Sequence, residues 1–353
     1  MTRMIITMMA VVTMSLMAGC ASKPAIPPLL TMAPGNLPAA NTVLNIPGLG
    51  PCTDNPDRSL HLSAQQPLTV LVHGCFASAG RFRGLAQVLA FHGQQTACFT
   101  YNDRDSLMHS SAQLISALEQ AGQGMQNQHL TVIGHSQGAL IARKALVADR
   151  PGAINSPALA LRLVTISGPF DGIAAASHCG SPALRLLSLG LVNLTCNLVT
   201  GEKWSEITYS SDFIRHPGTL SRQVQDYLKI VTDERGSCRR LENGVCTEKD
   251  YVFSLAEQYN QLIDRDPITR NVEVKVGHVE IVGDNRVEPV KLIALLQQNG
   301  ILNPTEPGSQ AALQQLLAKL YGGADQVLPL IEPGQAEPGQ PAQSSWPARL
   351  TDN

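Results

Sequence analysis

Short runs of consecutive apolar residues alternate along this chain with longer segments in which apolar residues recur at helical spacing. The run Leu68-Thr69-Val70-Leu71-Val72 has the continuous hydrophobicity of a strand that is buried on both faces of a parallel sheet. Further strands are predicted at residues 96–101, 129–133, 161–167, 227–232 and 272–276. Helices are predicted at residues 79–92, 106–122, 139–148 and 288–298. This alternation predicts an α/β fold with a doubly wound, mostly parallel sheet.

Two segments interrupt the alternation. Residues 173–225 form a long insertion between two predicted strands, and the stretch from Leu184 to Val199 within it contains a single charged residue, Arg185. The insertion is interpreted either as a lid with an apolar underside or as a cap helix that is buried for packing alone. Residues 301–353 form a C-terminal tail with a short helix predicted at residues 310–321. The Glu-Pro-Gly-Gln repeat that begins at residue 332 predicts that most of this tail is disordered.

The composition suits one large globular α/β domain or two small ones, because 44% of the 353 residues are apolar and only 15% are charged. A net charge of −2 gives no indication of a nucleic-acid partner. Aromatic residues make up only 4% of the chain, which argues against a platform for stacking bases or sugars.

The N-terminal residues have the layout of an export signal. Arg3 precedes an apolar stretch, residues 4–17, that is too short to span a membrane, and the small residues Ala18 and Gly19 then lead to Cys20. One interpretation is an ordinary secretory signal that is cleaved near Gly19. The second interpretation is a lipoprotein signal peptide over residues 1–19.

The second interpretation is based on residues 16–20, which resemble the lipobox of bacterial lipoproteins, although Met17 stands where that pattern prefers leucine. The resemblance implies that Cys20 is lipid-acylated and becomes the mature N-terminus. Ala21, in place of an aspartate, implies the outer membrane, with the protein facing the periplasm. Residues 20–58 are then a tether, and the folded domain is expected over residues 59–300.

Seven cysteines follow Cys20, and an exported chain with this many cysteines is expected to form disulfides. The pairs Cys179–Cys196 and Cys238–Cys246 are predicted from their short separations. Cys52–Cys98 is a further candidate, which would place Cys75 outside the disulfides.

The loop closed by Cys238 and Cys246 contains an Asn243-Gly244 turn. A two-residue hairpin at this turn would pair Leu241 with Cys246, so the cysteines are out of register and an irregular loop is expected. The chain has neither a C-x-x-C pair nor a metal-ligand spacing of Cys and His, so neither a zinc site nor a cofactor is expected.

The sequence Gly134-His135-Ser136-Gln137-Gly138 lies between a predicted strand and a predicted helix. A sharp strand-to-helix turn around a serine resembles the nucleophile elbow of α/β-hydrolases. The resemblance implies that Ser136 is a nucleophile at the carboxyl edge of the sheet. The glycines are expected to let the backbone make the strained turn without side-chain crowding.

A serine nucleophile needs a base, and the base needs an acid to orient it. In this superfamily the chain order is serine, acid, histidine. Among the nine histidines only His278 follows residue 216, and it comes directly after a predicted strand. Asp233, the first residue after the strand 227–232, is the favoured acid. Asp250, Asp171 and Glu234 are further candidates for the acid.

The oxyanion hole of such an enzyme needs two backbone N–H donors. One is expected from Gln137, which follows the nucleophile. The His73-Gly74 pair after the first long strand is similar to the oxyanion loop of lipases and esterases, and this implies that Cys75 or Phe76 supplies the second donor. Phe76 would also line an acyl pocket, and His73 is interpreted as a structural residue of the loop.

Taken together, residues 65–300 resemble the α/β-hydrolase superfamily, in particular its bacterial lipase and esterase branch. Residues 167–172 are similar to the Pro-x-x-Gly loop of many lipases, but Phe170-Asp171 stands where the family often has His-Arg or His-Leu. The resemblance implies a serine hydrolase of carboxylic esters, lipid esters among them, that acts through an acyl-enzyme and has a cap or lid insertion. An acyltransferase with the same site and a catalytically idle surface binding protein remain as rival interpretations. The expected partners are an ester substrate and, through the anchor, a membrane.

Overall fold

The predicted apolar runs form the strands of one twisted sheet. In the computed structural model, the chain is described over residues 35–75, 77–150, 152–173, 203–284 and 286–322. These residues belong to the compact unit Pro34–Asn353, whereas the unit Met1–Ala33 lies outside the described residues. Cys20, Cys179, Cys196, residues 174–202 of the predicted insertion and the tail after residue 322 also lie outside them.

The strands are β1 (Thr42–Leu44), β2 (Leu49–Gly50), β3 (Leu60–Leu62), β4 (Leu68–Val72), β5 (Gln95–Phe99), β6 (His129–His135), β7 (Ala160–Ile166), β8 (Val224–Asp233), β9 (Cys238–Glu242), β10 (Val245–Lys249) and β11 (Thr269–Lys275). The helices are α1 (Arg83–Phe91), α2 (Leu107–Gly124), α3 (Gln137–Ala145), α4 (Lys203–Glu206), α5 (Asp212–Arg215), α6 (Leu255–Gln258), α7 (Gln261–Asp264), α8 (Val290–Gln298) and α9 (Gln310–Tyr321). Short 3-10 turns lie at Ala79–Phe82 and Glu280–Val282.

The large sheet has the strand order β11-β8-β7-β6-β4-β5-β2. All neighbouring strands in it are parallel except β2, which pairs antiparallel with β5. All five residues of β4 are buried, which is why its sequence is apolar without alternation. The architecture is the mostly parallel α/β sheet that the sequence predicts.

The register of the sheet brings four loops to one edge. Val72 at the end of β4 pairs with Gly134, and Asp233 at the end of β8 pairs with Lys275 at the end of β11. Because parallel strands end at the same edge, the loops after β4, β6, β8 and β11 all begin there. The loops after β6 and β11 contain the predicted nucleophile and base, the loop after β8 directly follows the favoured acid Asp233, and the loop after β4 is the predicted oxyanion loop.

The folded domain begins earlier than the sequence predicts. Part of the predicted tether lies in the sheets, because β1 pairs with β3 and β2 pairs with β5. Leu49 is almost fully buried, and Cys52 forms a disulfide with Cys98 of β5. Two- and three-residue strands among proline, alanine and asparagine leave little periodicity in a sequence, so the composition does not indicate them.

The loop between Cys238 and Cys246 is a hairpin, in place of the irregular loop that the sequence predicts. Cys246 pairs with Leu241, as the turn at Asn243-Gly244 requires, and Cys238 pairs with Lys249. Irregularities in the register after Cys246 bend the strands, and the predicted disulfide joins the two cysteines across the hairpin.

The start of the C-terminal tail is folded. Helix α9 has the bounds that the sequence predicts and buries Leu313, Leu317 and Tyr321. It packs against α1 so closely that a Cβ on Gly84 would lie 2.6 Å from the Tyr321 hydroxyl. Among the described residues, no helix is long and apolar enough to span a bilayer.

Candidate active site

The turn between β6 and α3 forces Ser136 into an unusual backbone conformation, with φ 57° and ψ −125°. A positive φ is costly for a residue with a side chain and is concentrated at functional sites. The flanking glycines make the turn possible. A Cβ on Gly138 would lie 2.2 Å from the Val72 carbonyl oxygen, and a Cβ on Gly134 would lie 2.3 Å from the Gly138 carbonyl oxygen.

Helix α3 begins at Gln137, directly after the serine. The first N–H groups of a helix have no partner within it and make its N-terminus partially positive. The backbone N–H of Gln137 is the first of these groups and directly follows Ser136.

His278 lies beyond the end of β11 and contacts a carboxylate, but the carboxylate belongs to Glu234. The Nδ1 atom of His278 is 2.8 Å from Glu234 Oε1, and both side chains are buried. A carboxylate can only accept, so Nδ1 carries the proton and Nε2 is left to take one.

Four donors surround the Glu234 carboxylate. His278 and the Thr232 hydroxyl donate to Oε1, and the backbone N–H groups of Val252 and Phe253 donate to Oε2. The hydrogen bonds from Val252 and Phe253 are 2.5 and 2.8 Å long. A buried carboxylate with this many donors is fixed in position, which also fixes the orientation of the His278 ring.

Two hydroxyl groups, from Thr232 and Ser167, extend the hydrogen-bond network beyond Glu234. Ser167, at the end of β7, lies 2.7 Å from the Thr232 hydroxyl, which in turn lies 3.0 Å from Glu234 Oε1. Each hydroxyl carries one proton, so Ser167 donates to Thr232 when Thr232 donates to the carboxylate. This network ties the acid to two neighbouring strands.

Asp233, the acid that the sequence analysis favours, is not at His278. Its carboxylate accepts two hydrogen bonds from the guanidinium of Arg235, at 2.7 and 2.8 Å, and a third from the Arg235 backbone N–H at 3.2 Å. The hydrogen bonds from Arg235 lower the pKa of Asp233 to about 2. Side chains at successive strand positions point to opposite faces, so only one of Asp233 and Glu234 can face His278.

Asp250 and Asp171 also lie away from the His278 ring. Asp250 accepts hydrogen bonds from the N–H groups of Val279 and Glu280, and its own carbonyl accepts one from the N–H of His278. Asp250 therefore fixes the backbone at His278 and at the two residues after it. Asp171 is exposed, and its N–H donates to the carbonyl of Glu257.

His135, the residue before Ser136, contacts His278. His135 Nε2 lies 2.9 Å from the carbonyl oxygen of His278, and the two rings are 4.8 Å apart between centroids. Burial, together with the neighbouring His278, holds the pKa of His135 well below its usual value. His135 is thus neutral, with its proton on Nε2, and it connects the elbow to the loop of the base.

The loop after β4 lies beside Ser136. A Cβ on Gly74 would lie 3.0 Å from Ser136 Cβ. The Tyr101 hydroxyl donates to the His73 carbonyl at 2.7 Å, and His73 Nδ1 donates to the Gly74 carbonyl at 2.8 Å. His73 is buried, which lowers its pKa, and it supports the loop as the sequence predicts.

The two residues predicted as the second oxyanion donor follow Gly74. Phe76 lies outside the described residues. Cys75 is half-buried, and its Sγ accepts a hydrogen bond from the Lys203 ammonium at 2.9 Å.

The sequence favours Asp233 over Glu234 and does not indicate which residues support Glu234. One signal was available, because Thr232 and Glu234 are two positions apart and therefore share a face of the chain. No sequence signal placed residues 252 and 253 next to the acid. Within the described ranges, no group of three or more His, Cys, Asp or Glu side chains is arranged to hold a metal ion.

Comparison with known proteins points to a hydrolase. Residues 69–239, a little under half of the chain, match the model of the palmitoyl protein thioesterase family. No curated protein matches the chain. The family match, together with the fold, indicates a hydrolase of the esterase or lipase type.

Solved structures of similar fold are distant in sequence. The mature form of a Bacillus licheniformis lipase is 15% identical, with a TM-score of 0.42, over 72% of this chain and 97% of the lipase. A putative cell surface hydrolase from Lactobacillus plantarum is 14% identical, with a TM-score of 0.39, over 73% and 98% of the two chains. A Pyrobaculum calidifontis esterase is 14% identical, with a TM-score of 0.40, over 73% and 77%.

Proposed function

We propose that this protein is a serine hydrolase that cleaves acyl esters or thioesters through an acyl-enzyme. Ser136 is the nucleophile, His278 the general base and Glu234 the residue that orients the base. The observation that carries the proposal is the 2.8 Å contact between His278 Nδ1 and the buried Glu234 carboxylate, at the same sheet edge as a strained serine elbow.

The reaction follows from these roles. His278 Nε2 takes the proton of the Ser136 hydroxyl as the oxygen attacks the substrate carbonyl carbon. The N–H of Gln137 and an N–H of the loop after Gly74 stabilise the resulting oxyanion. The tetrahedral intermediate collapses, and the alcohol or thiol leaves with the proton from His278. Water then attacks the acyl-enzyme by the same route and releases the acid.

The substrate is proposed to be an acyl ester or an acyl thioester. The ester is supported by the resemblance of the elbow and the oxyanion loop to those of lipases and esterases. The thioester is supported by the match of residues 69–239 to the palmitoyl protein thioesterase family. Both substrates pass through the same acyl-enzyme, so one site can serve either.

The test is to measure the purified protein against p-nitrophenyl esters of increasing acyl length and against acyl thioesters of coenzyme A. Ser136→Ala is the matched control, and a fluorophosphonate probe reports whether the serine is reactive. Hydrolysis and labelling that both disappear in Ser136→Ala support the proposal. Transfer of the acyl group to an added alcohol in preference to water would instead identify an acyltransferase. Absence of labelling in the wild-type protein would indicate an idle binding protein.

We also propose that the protein is anchored to the outer membrane through an acylated Cys20. The support is the similarity of residues 16–20 to a lipobox and the alanine that follows the cysteine. Radiolabelled palmitate supplied to expressing cells should enter the wild-type chain but not Cys20→Ser. A wild-type chain that remains unlabelled would exclude the anchor.

A further inference from the structure

Lys203 is a lysine with a fully buried side chain next to the proposed oxyanion loop. Its ammonium lies 2.9 Å from Cys75 Sγ and 3.6 Å from a carboxylate oxygen of Asp103. A buried ammonium is costly unless it is paired, so these contacts hold the lysine in one place.

The side chain of Cys75 is attached to the backbone that runs past the nucleophile. A Cβ on the preceding residue, Gly74, would lie 3.5 Å from Ser136 Oγ. A displacement of Cys75 therefore moves the backbone N–H groups that face an oxyanion formed at Ser136.

Two further contacts hold this loop, and both act before Cys75. Tyr101 holds the carbonyl of His73, and the ring of His73 holds the carbonyl of Gly74. The Lys203 ammonium acts at the next residue, from a different part of the chain that begins helix α4. The loop is thus held at residues 73 and 74 by Tyr101 and by its own His73 ring, and at residue 75 from α4.

We propose that Lys203 is a positioning residue of the oxyanion hole, which fixes the loop through the hydrogen bond from its ammonium to Cys75 Sγ. The inference rests on the proposed function of the same site. It adds a residue that acts on the transition state through the loop.

The physical reason is the steep dependence of oxyanion stabilisation on geometry. Backbone donors stabilise the tetrahedral intermediate only when they lie about 2.7–3.1 Å from its oxygen. A misplacement of about 1 Å can cost roughly 100-fold in rate. Loss of the Lys203 contact should therefore lower kcat more than it raises KM, since substrate binding before the attack depends less on these donors.

The test compares Lys203→Met, Cys75→Ala and the double variant in steady-state ester hydrolysis. Each single variant should lose about 10- to 100-fold in kcat, with KM changed by less than about 3-fold. The double variant should lose no more than either single one, because both changes remove the same hydrogen bond. Cys75→Ser, whose hydroxyl can accept from the ammonium, should recover most of the rate.

The matched control is Lys144→Met. Lys144 is also a buried lysine, but it is in the last turn of α3, away from Ser136, where its ammonium donates to the carbonyl of His216. This variant should keep kcat close to wild type even if its melting temperature falls.

A Lys203→Met protein that is less stable but has wild-type kcat would overturn the inference, as would losses in kcat that multiply in the double variant. If Lys203→Met does not fold, Cys75→Ala and Cys75→Ser decide the question, and equal kcat in the two overturns it. The proposed function fails separately, when the wild-type protein shows no Ser136-dependent hydrolysis.

Discussion

Glu234 Oε1 lies 2.8 Å from His278 Nδ1, and the two residues are 44 positions apart in the sequence. Two backbone N–H groups, a threonine hydroxyl and the imidazole all donate hydrogen bonds to the Glu234 carboxylate, and together they hold it against the His278 ring. Asp233, one residue earlier, also carries a carboxylate but forms an ion pair with Arg235. The two neighbouring carboxylates therefore have different partners, His278 for Glu234 and Arg235 for Asp233, because their side chains point in different directions.

We expect Glu234→Gln to lower kcat by about 10²- to 10⁴-fold, because the amide neither stabilises the imidazolium nor enforces the tautomer that leaves Nε2 free. Asp233→Asn is the matched control and should retain nearly full activity, since only the ion pair with Arg235 is lost. Steady-state hydrolysis of a p-nitrophenyl ester measures both. The opposite ranking would restore Asp233 as the orienting acid.

Ser136→Ala and His278→Ala should each reduce turnover by about 10⁴- to 10⁶-fold. The two residues act as one unit, so the double variant should be about as slow as either single one. Circular dichroism of Ser136→Ala should match that of the wild type, because this change removes a single oxygen atom from a buried side chain. A folded Ser136→Ala protein with near-normal ester hydrolysis would refute the mechanism.

Stability should fall as the pH drops below about 6.5, with His135 as one cause. Its pKa is well below 6.5 in the folded protein because of burial, whereas an unfolded chain binds the proton near pH 6.5. The unfolded state then holds more protons, so acid favours unfolding and stability rises again with pH up to that value. His135→Gln, which does not titrate, should lose less in melting temperature between pH 7 and pH 5 than the wild type. An equal loss in both proteins would exclude this contribution.

The two disulfides among the described residues should differ in how much they stabilise the fold. Cys52–Cys98 closes a span of 46 residues and Cys238–Cys246 a span of 8. Chain entropy predicts that loss of the first costs about 4 kcal/mol and loss of the second about 2.5 kcal/mol. Urea unfolding of Cys52→Ala/Cys98→Ala and of Cys238→Ala/Cys246→Ala would measure both free energies. A larger loss in the second variant would mean that native-state contacts outweigh loop closure.

The sequence by itself determined the fold class, and it placed the sharp turn at Ser136 and singled out His278. Apolar runs such as Leu68–Val72 are typical of buried strands in a parallel sheet, and the glycines on either side of Ser136 permit a sharp strand-to-helix turn. His278 follows from chain order, because it is the only histidine after residue 216. These features depend on the local residue types and on the order of the elements along the chain, and both can be read directly from the sequence.

The tertiary structure decided which side chains meet. Glu234 is the partner of His278 because of the direction in which it projects beyond the end of β8, and its donors at residues 252 and 253 arrive from beyond the hairpin β9–β10. Lys203 reaches Cys75 across 128 positions of sequence. Strand β2 forms where Leu49 pairs with β5, and this pairing buries the Leu49 side chain. Such contacts depend on the path of the chain in space and on the direction of each side chain, and neither leaves a periodic signal in the sequence.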